Sequence, residues 1–266
     1  MTITALLWGN EGVYMVPIHG DHEQNTALGN EEQGVDRRRS SLRTGSVSIG
    51  AMKDLVLGAC LCNNAAKQSS QVDSTNSGID NSALASTGSE GSSKKMELVG
   101  DAADLALYHL CNTKFSIDIE QVKKVNPRIN IVPFNSKYKF MITANILEQT
   151  SIGDDEDATV LVTIKGAPDF VLSRCSTYKQ DREDEILPMT DEFRRSVEQR
   201  QEELGKCGYR VIAMLQQKMS KRQYDELINV YRASKQQRQE QQSLGLIADE
   251  SDLNELPTNN YCFIGR

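Results

Sequence analysis

Long apolar runs are missing from these 266 residues: nothing approaches the ~20 consecutive apolar residues a helix needs to cross a bilayer. A positive surplus is missing too. Thirty Lys and Arg stand against 37 Asp and Glu, a net charge of −7. A chain without a basic footprint displaces few phosphate counterions, which argues against nucleic acid as a partner. Aromatics are scarce at 6%, with one Trp, and hydrophobic residues total 38%. That share is below the usual one, so a core forms only if part of the chain stays outside it. The opening MTITALLWGN has neither a basic region nor a long apolar stretch, and the expectation is that it is no secretory leader. Cys60, Cys62, Cys111, Cys175, Cys207 and Cys262 follow no framework spacing in a chain long enough to fold unstapled, so reduced thiols are expected. Cys60 and Cys62 with His109 and Cys111 assemble on paper into a metal set. A Cys-x-Cys without a second clean pair is weak zinc evidence, and no metal site is expected. P-loop, dinucleotide, nucleophile-elbow and H-E-x-x-H patterns are all absent, which removes the common nucleotide-hydrolase and esterase or metalloprotease templates.

What is present comes in blocks. TITALLW (2–8) is β-branched and aromatic enough for a strand. Residues 18–48 are polar and Gly-rich, a loop or insertion. Met52, Leu55, Val56, Ala59 and Cys60 recur at helical spacing within 51–66. Residues 67–95 hold nine serines and no aromatic, too little apolar surface to offset ordering entropy, and disorder is expected there. GDAADLALYHLCN (100–112) predicts a helix with Asp101 as N-cap and Asp104 completing an acidic capping box. An extended segment with Pro133 leads into a strand over 130–143. TVLVTI (159–164) predicts a well-buried strand, ending in KGAP with Pro168 in a first helical turn. Thr190 caps a helix closed by Gly205 and Gly208, and YRVIAML (209–215) and NYCFIG (260–265) predict further strands. Residues 216–256 are set apart as an insertion, of which 216–243 form either a solvated helix or an inserted loop. Helices fall between hairpin-like strand pairs, so the fold class expected is α+β, a mostly antiparallel sheet flanked by helices, in a single domain over 1–266.

Taken one at a time, the candidate residues leave alternatives open. Lys165 and Gly166 sit where a strand meets a helix start, either a phosphate site or an ordinary turn with a solvated Lys. Phe134 precedes a polar turn, as a core anchor or a face for stacking a base. Lys139 reaches that same face or solvent. Arg210 follows two glycines and pairs with a phosphate or with a carboxylate. RRRSSLR (37–43) offers Ser40 and Ser41 to a basophilic kinase, or is a solvated insertion.

Together, and in order, LCNNA (61–65), GDAADLAL (100–107), VPFNSKYKF (132–140), KGAPDFVLSRC (165–175), GYRVIAM (208–214) and NYCFIG (260–265) resemble the nucleotide-binding domain of P-type cation-transporting ATPases, in the sodium/potassium-pump-like branch. The resemblance spans the chain apart from its three polar insertions. It implies an ATP-binding domain on the cytoplasmic side of a membrane, itself soluble. Its partners would be the phosphorylation and actuator domains and the membrane helices of one parent pump. The two ends resemble the strands that border this domain in such pumps, so the chain looks like a fragment. The resemblance further implies that Phe134 stacks on adenine. Lys139, Lys165 and Gly166 would line the pocket, and Arg210 would meet the β-phosphate. Asp104 would lie near the adenine amino group, with Asp101 at the helix start; both equally suit helix caps. Mg2+ would arrive with ATP. The phosphorylated Asp of such pumps is absent from this sequence, so ATP binding without turnover is expected. Ala103 stands where the family usually carries a hydroxyl and Met141 where the branch often has Gln. Asp104 and Asp169 are each a methylene shorter than the usual Glu, and these departures imply weak binding. A free-standing, non-catalytic nucleotide-binding or partner-binding module is the alternative.

Overall fold

The computed structural model describes residues 3, 5–8, 12–15, 50–69, 96–148, 158–180, 185–243 and 259–265. A hairpin comes first, β1 (Ala5–Trp8) against β2 (Gly12–Met15). Helix α1 (Gly50–Leu61) then leads to a second hairpin, β3 (Ala66–Ser69) with β4 (Met96–Val99). Next come α2 (Ala102–His109), which runs on as a π-turn over Leu110–Lys114, and α3 (Ile119–Val125). The central sheet starts with β5 (Arg128–Asn135), β6 (Phe140–Ile146) and β7 (Thr159–Gly166). After α4 (Pro168–Val171) come β8 (Cys175–Lys179), β9 (Ile186–Pro188), α5 (Asp191–Lys206), β10 (Ala213–Ser220), α6 (Lys221–Ser243) and β11 (Tyr261–Gly265). The seven-stranded sheet has the order β5-β6-β7-β10-β11-β8-β9. Every pairing in it is antiparallel except β11 with β8. This is the α+β architecture expected.

Helices cover both faces of the sheet, and the strand period of two sorts the side chains between them. On one face Phe140, Ile142, Val160, Val162, Ile164, Leu215, Tyr261 and Phe263 meet Val171, Phe193, Val197, Tyr224 and Ile228 from α4, α5 and α6. The other face lies under α1 to α3. There Met52, Leu55, Val56, Leu107 and Ile119 join Met214 and Ile264. This second face is the more polar of the two: Thr143, Asn145, Thr163, Lys165 and Gln216 are all buried on it. Burial on both sides is why TVLVTI carries Val160, Leu161 and Val162 in succession rather than alternating with solvated residues. Pro133 is tolerated in β5 because that strand is at the edge of the sheet.

Several boundaries differ from expectation. α1 stops at Leu61, and Ala66 already belongs to β3, so 62–65 form an ordered turn rather than the end of a helix. β3 takes in Lys67–Ser69, residues assigned above to the disordered block. Tyr209–Ile212 are not strand. β10 begins at Ala213, opposite Gly166, and runs to Ser220, opposite Thr159. Residues 216–243, set apart as insertion, therefore complete a core strand and then form α6. Helix α6 buries Tyr224 and Ile228, and the two alternatives for this stretch resolve in favour of helix. The rest of that segment, 244–256, like 18–48 with Ser40 and Ser41 and most of 67–95, lies outside the described residues. Among the described residues no helix is long and apolar enough to cross a membrane.

Candidate nucleotide site

Cross-strand neighbours on one face define a row. Met141 of β6 is directly opposite Lys165 of β7, which is opposite Met214 of β10; directly paired residues share a face. The pairing of β5 with β6 is irregular between Val132 and Asn135. That irregularity sets Pro133 and Phe134 beside Met141. An extra residue in an edge strand re-aims a side chain, and Phe134 is left 58% exposed, unusual for a Phe. The row thus runs from an exposed aromatic ring, across a buried Met141, to Lys165.

Lys165 does not face solvent. Its ammonium is ion-paired with Asp104 Oδ1, and the two side chains are 7% and 0% exposed. Asp104 also accepts the Asn64 N–H through Oδ2 at 2.8 Å. The turn after α1 holds this carboxylate in place. Asn63 donates to the Asp104 carbonyl at 2.9 Å and to that of Ala59 at 3.2 Å, while its own oxygen accepts from Ala65 N–H at 2.7 Å. Arg128, at the start of β5, donates to the Asn64 side chain at 2.7 Å and to the carbonyls of Leu61 and Asn63 at 2.8 Å each. Breaking a buried pair by removing one partner costs about 3–5 kcal/mol, because the other charge is left without compensation. Asp104 and Lys165 are therefore bound to each other in stability.

The N-terminus of α2 divides the labour between its two acids. Asp101 Oδ1 accepts the N–H groups of Ala103 and Asp104, each at 2.9 Å, and is an exposed N-cap as expected. Asp104 does not complete a capping box. Its carboxylate turns inward to Lys165 and Asn64.

Gly166 is tightly enclosed. A Cβ there would meet Phe140 Cβ at 2.5 Å and the Lys139 carbonyl at 2.7 Å, so the missing side chain admits the close approach of β6. That carbonyl accepts from Ala167 N–H at 3.0 Å. The helix behind KGAP is a single α-turn, Pro168–Val171, continued by a 3-10 turn over Leu172–Arg174. Lys139 closes the β5–β6 turn at φ 59°, exposed, and donates its N–H to the Asn135 carbonyl at 2.7 Å. Arg210 is exposed in the segment between α5 and β10, where a strand was expected to begin. The structure thus joins Asp104, Lys165, Gly166 and the Lys139 backbone, with Phe134 at the open end of their row.

Asn63 and Asn64 fall in the LCNNA motif without a role assigned there, and Arg128 belongs to no motif. Two consecutive Asn just beyond a helix are a signal for a structured exit, since Asn side chains bond nearby backbone; nothing local marks Arg128. Cys60 and Cys111 meet side chain to side chain in the second core layer. Cys60, Cys62 and Cys111 are buried while His109 is exposed, and among the described residues no three His, Cys, Asp or Glu side chains form a metal site. Burial pushes the Cys62 and Cys175 thiols up, the latter to about 12.

Residues 51–265 match the family model described as P-type ATPase, cytoplasmic domain N. The chain belongs to this family. Its relatives among P-type ATPases include a sodium/potassium-transporting ATPase subunit alpha of Tetronarce californica, 31% identical over 132 residues, covering 50% of this chain and 12% of that protein. The alpha-B subunit of Artemia franciscana is 33% identical over 118 residues, 44% of this chain and 11% of that protein. The human alpha-3 subunit is 26% identical over 171 residues, 64% and 14% respectively. The matched segments are thus a small part of these subunits, 11–14% of their own length.

Proposed function

We propose that this N domain binds ATP in the row between Phe134 and Lys165 and serves as the nucleotide-holding part of a P-type cation pump of the sodium/potassium-transporting kind. The observation that supports this most is the half-exposed Phe134 set at the strand irregularity beside Met141 and the Lys165–Asp104 pair. A ring held open at a sheet edge suits reversible stacking of a purine. The exposed Lys139 and Arg210 offer cations to the phosphate chain, with Lys165, paired to Asp104, at the inner end of the row. Asp101 caps α2 and so fixes the helix from which Asp104 projects.

Mg2+ would arrive on the phosphates and would supply neutralisation of their charge. This domain holds the base and aims the γ-phosphate at a carboxylate of a phosphorylation domain. There the carboxylate oxygen bonds to phosphorus as the bond to the β–γ bridging oxygen breaks and ADP leaves. No residue of this sequence is assigned to that attack, so the chain by itself is expected to bind ATP without steady phosphate release. The working place of such a domain is the cytoplasmic side of a membrane, beside the actuator domain and membrane helices of the same pump.

Titration with Mg-ATP followed by amide chemical shifts tests the reading. Saturable shifts are expected around Phe134, Met141 and Lys165. Phe134→Ala should weaken binding on the order of tenfold or more, since base–aromatic stacking contributes about 1–3 kcal/mol. A folded wild type whose spectrum does not respond to millimolar ATP would refute it.

A further inference from the structure

We propose that the sheet face under α1 binds a buried water molecule through Thr143, Thr163 and Gln216, and that this water is the polar joint between β6, β7, β10 and the helix above them.

The three residues form one row. Thr163 of β7 is directly opposite Thr143 of β6 on one side and Gln216 of β10 on the other. Directly paired side chains share a face, with Cβ atoms roughly 5 Å apart. Thr143, Thr163 and Gln216 are 0%, 1% and 3% exposed. Even so, Thr143 Oγ1, Thr163 Oγ1 and Gln216 Oε1 have no hydrogen-bond partner of ordinary geometry among the described residues. Buried polar atoms that stay unpaired lose their hydration with nothing in return, and three adjacent ones call for a shared partner.

The protein itself does not supply that partner. Gln216 Nε2 donates to the Asp54 carbonyl of α1 at 2.8 Å, and a flipped amide would set oxygen against oxygen there. Gln216 Oε1 is thereby fixed as an acceptor turned away from Asp54. The Thr143 hydroxyl faces the Cys62 sulfur, a weak partner, and that thiol already donates to the Thr163 carbonyl at 3.7 Å. Gly58 packs α1 closely on the same row: a Cβ there would meet Gln216 Nε2 at 2.9 Å and Thr163 Cγ2 at 3.5 Å.

The donor and acceptor count selects the ligand. Gln216 Oε1 needs a hydrogen, while each Thr hydroxyl has one hydrogen to give and lone pairs to fill. Water carries two hydrogens and two lone pairs, so one molecule donates to Gln216 and exchanges hydrogen bonds with both hydroxyls. A metal cation would find oxygens but no counter-charge. The Asp104 carboxylate is paired with Lys165, and that of Asp54 with Lys179 and Lys218. An anion would be repelled by the Gln216 oxygen and would meet no cation in the row.

A crystal structure of the whole chain should show one ordered water within hydrogen-bond distance of Thr163 Oγ1 and Gln216 Oε1, with Thr143 Oγ1 as a third contact. Thr163 Oγ1 bonded directly to Gln216 Oε1, with no water between them, would overturn the proposal. In solution, oxygen-17 relaxation dispersion of the solvent should contain a contribution from a long-lived buried water that Thr163→Val loses and Thr163→Ser keeps. Identical dispersion in the wild type and Thr163→Val would reject the site. Urea unfolding supplies a sign. Thr163→Val should lower the folding equilibrium constant on the order of fivefold, because a satisfied hydroxyl is lost. A constant equal to or above that of the wild type would mean that the hydroxyl was unpaired, and it too overturns the proposal. Should Thr163→Val fail to fold, the wild-type crystal density decides by itself.

Discussion

Tyr108 Oη donates to Glu120 Oε1 at 3.2 Å, joining α2 to α3. Burial, and then the Glu120 charge, push this phenol up from 10 to about 12. The folded state thus favours the neutral ring. In the unfolded chain the group ionises near 10, so the stability it contributes is complete below pH 10 and is lost as pH rises through about 12. Urea midpoints measured from pH 9 to 12 should fall more steeply for the wild type than for Tyr108→Phe; parallel curves would show that the phenol does not couple to folding. At this scale the sequence is legible where a side chain serves its own neighbourhood. Asp101 caps α2, and Thr190 caps α5 by accepting Phe193 N–H at 3.1 Å, both at spacings that capping prescribes. The Asp104–Lys165 pair was not legible, because its two members are 61 positions apart and each has a sensible local role when read alone.

The end of α5 shows how an element is closed by backbone geometry. Gly208 N–H donates to the Gly205 carbonyl at 2.9 Å, and Tyr209 N–H to that of Leu204 at 3.0 Å, the paired bonds of a Schellman motif. Gly208 has φ +80°, while Gly205 lies inside the helix, and neither has an atom within 4 Å of where a Cβ would be. The same substitution should therefore have opposite effects. Gly205→Ala should stabilise by roughly 0.5–1 kcal/mol through helix propensity. Gly208→Ala should destabilise by about 1–2 kcal/mol through the left-handed backbone. Thermal midpoints of the two variants check this, and a shift of the same sign in both would contradict it. The strand that follows shows why propensity misplaced a boundary. Tyr209–Ile212 are aromatic and β-branched, yet β7 ends at Gly166, so β10 has a ladder partner only from Ala213. Beyond Leu215 the polar QQKMS stays in the strand, because Thr159–Thr163 are there to pair with it. Partners, not propensity, set both ends.

One sheet serves two cores, and this shapes the behaviour of the whole molecule. Strands β6, β7 and β10 give alternate side chains to the apolar layer under α4 to α6 and to the mixed layer under α1 to α3. Neither layer keeps its sheet if the other is lost, so the two should unfold together. Methyl resonances of Ile228 in the first layer and Leu107 in the second should disappear at the same urea concentration. Separate midpoints would mean that the layers are independent units. The second layer buries Thr143, Asn145, Thr163 and Gln216 beside the Lys165–Asp104 pair, while the first has Tyr178 stacked on Phe193 with ring centroids 3.7 Å apart and the Arg174 guanidinium 4.7 Å from the centre of the Phe140 ring.

The sequence by itself determined the α+β class, the capped starts of α2 and α5, the buried β7 and the order of motifs that places the chain among P-type ATPase N domains. Each of these is a local pattern or a string of residues, and neither needs a partner to be recognised. Only the tertiary structure decided that Lys165 turns away from solvent to Asp104, that Gly166 accommodates the β6 backbone, and that Gln216–Ser220 belong to the sheet. It also decided that Phe134 remains exposed at the edge. These are outcomes of long-range pairing, in which register across strands and burial under a helix override what each residue favours alone.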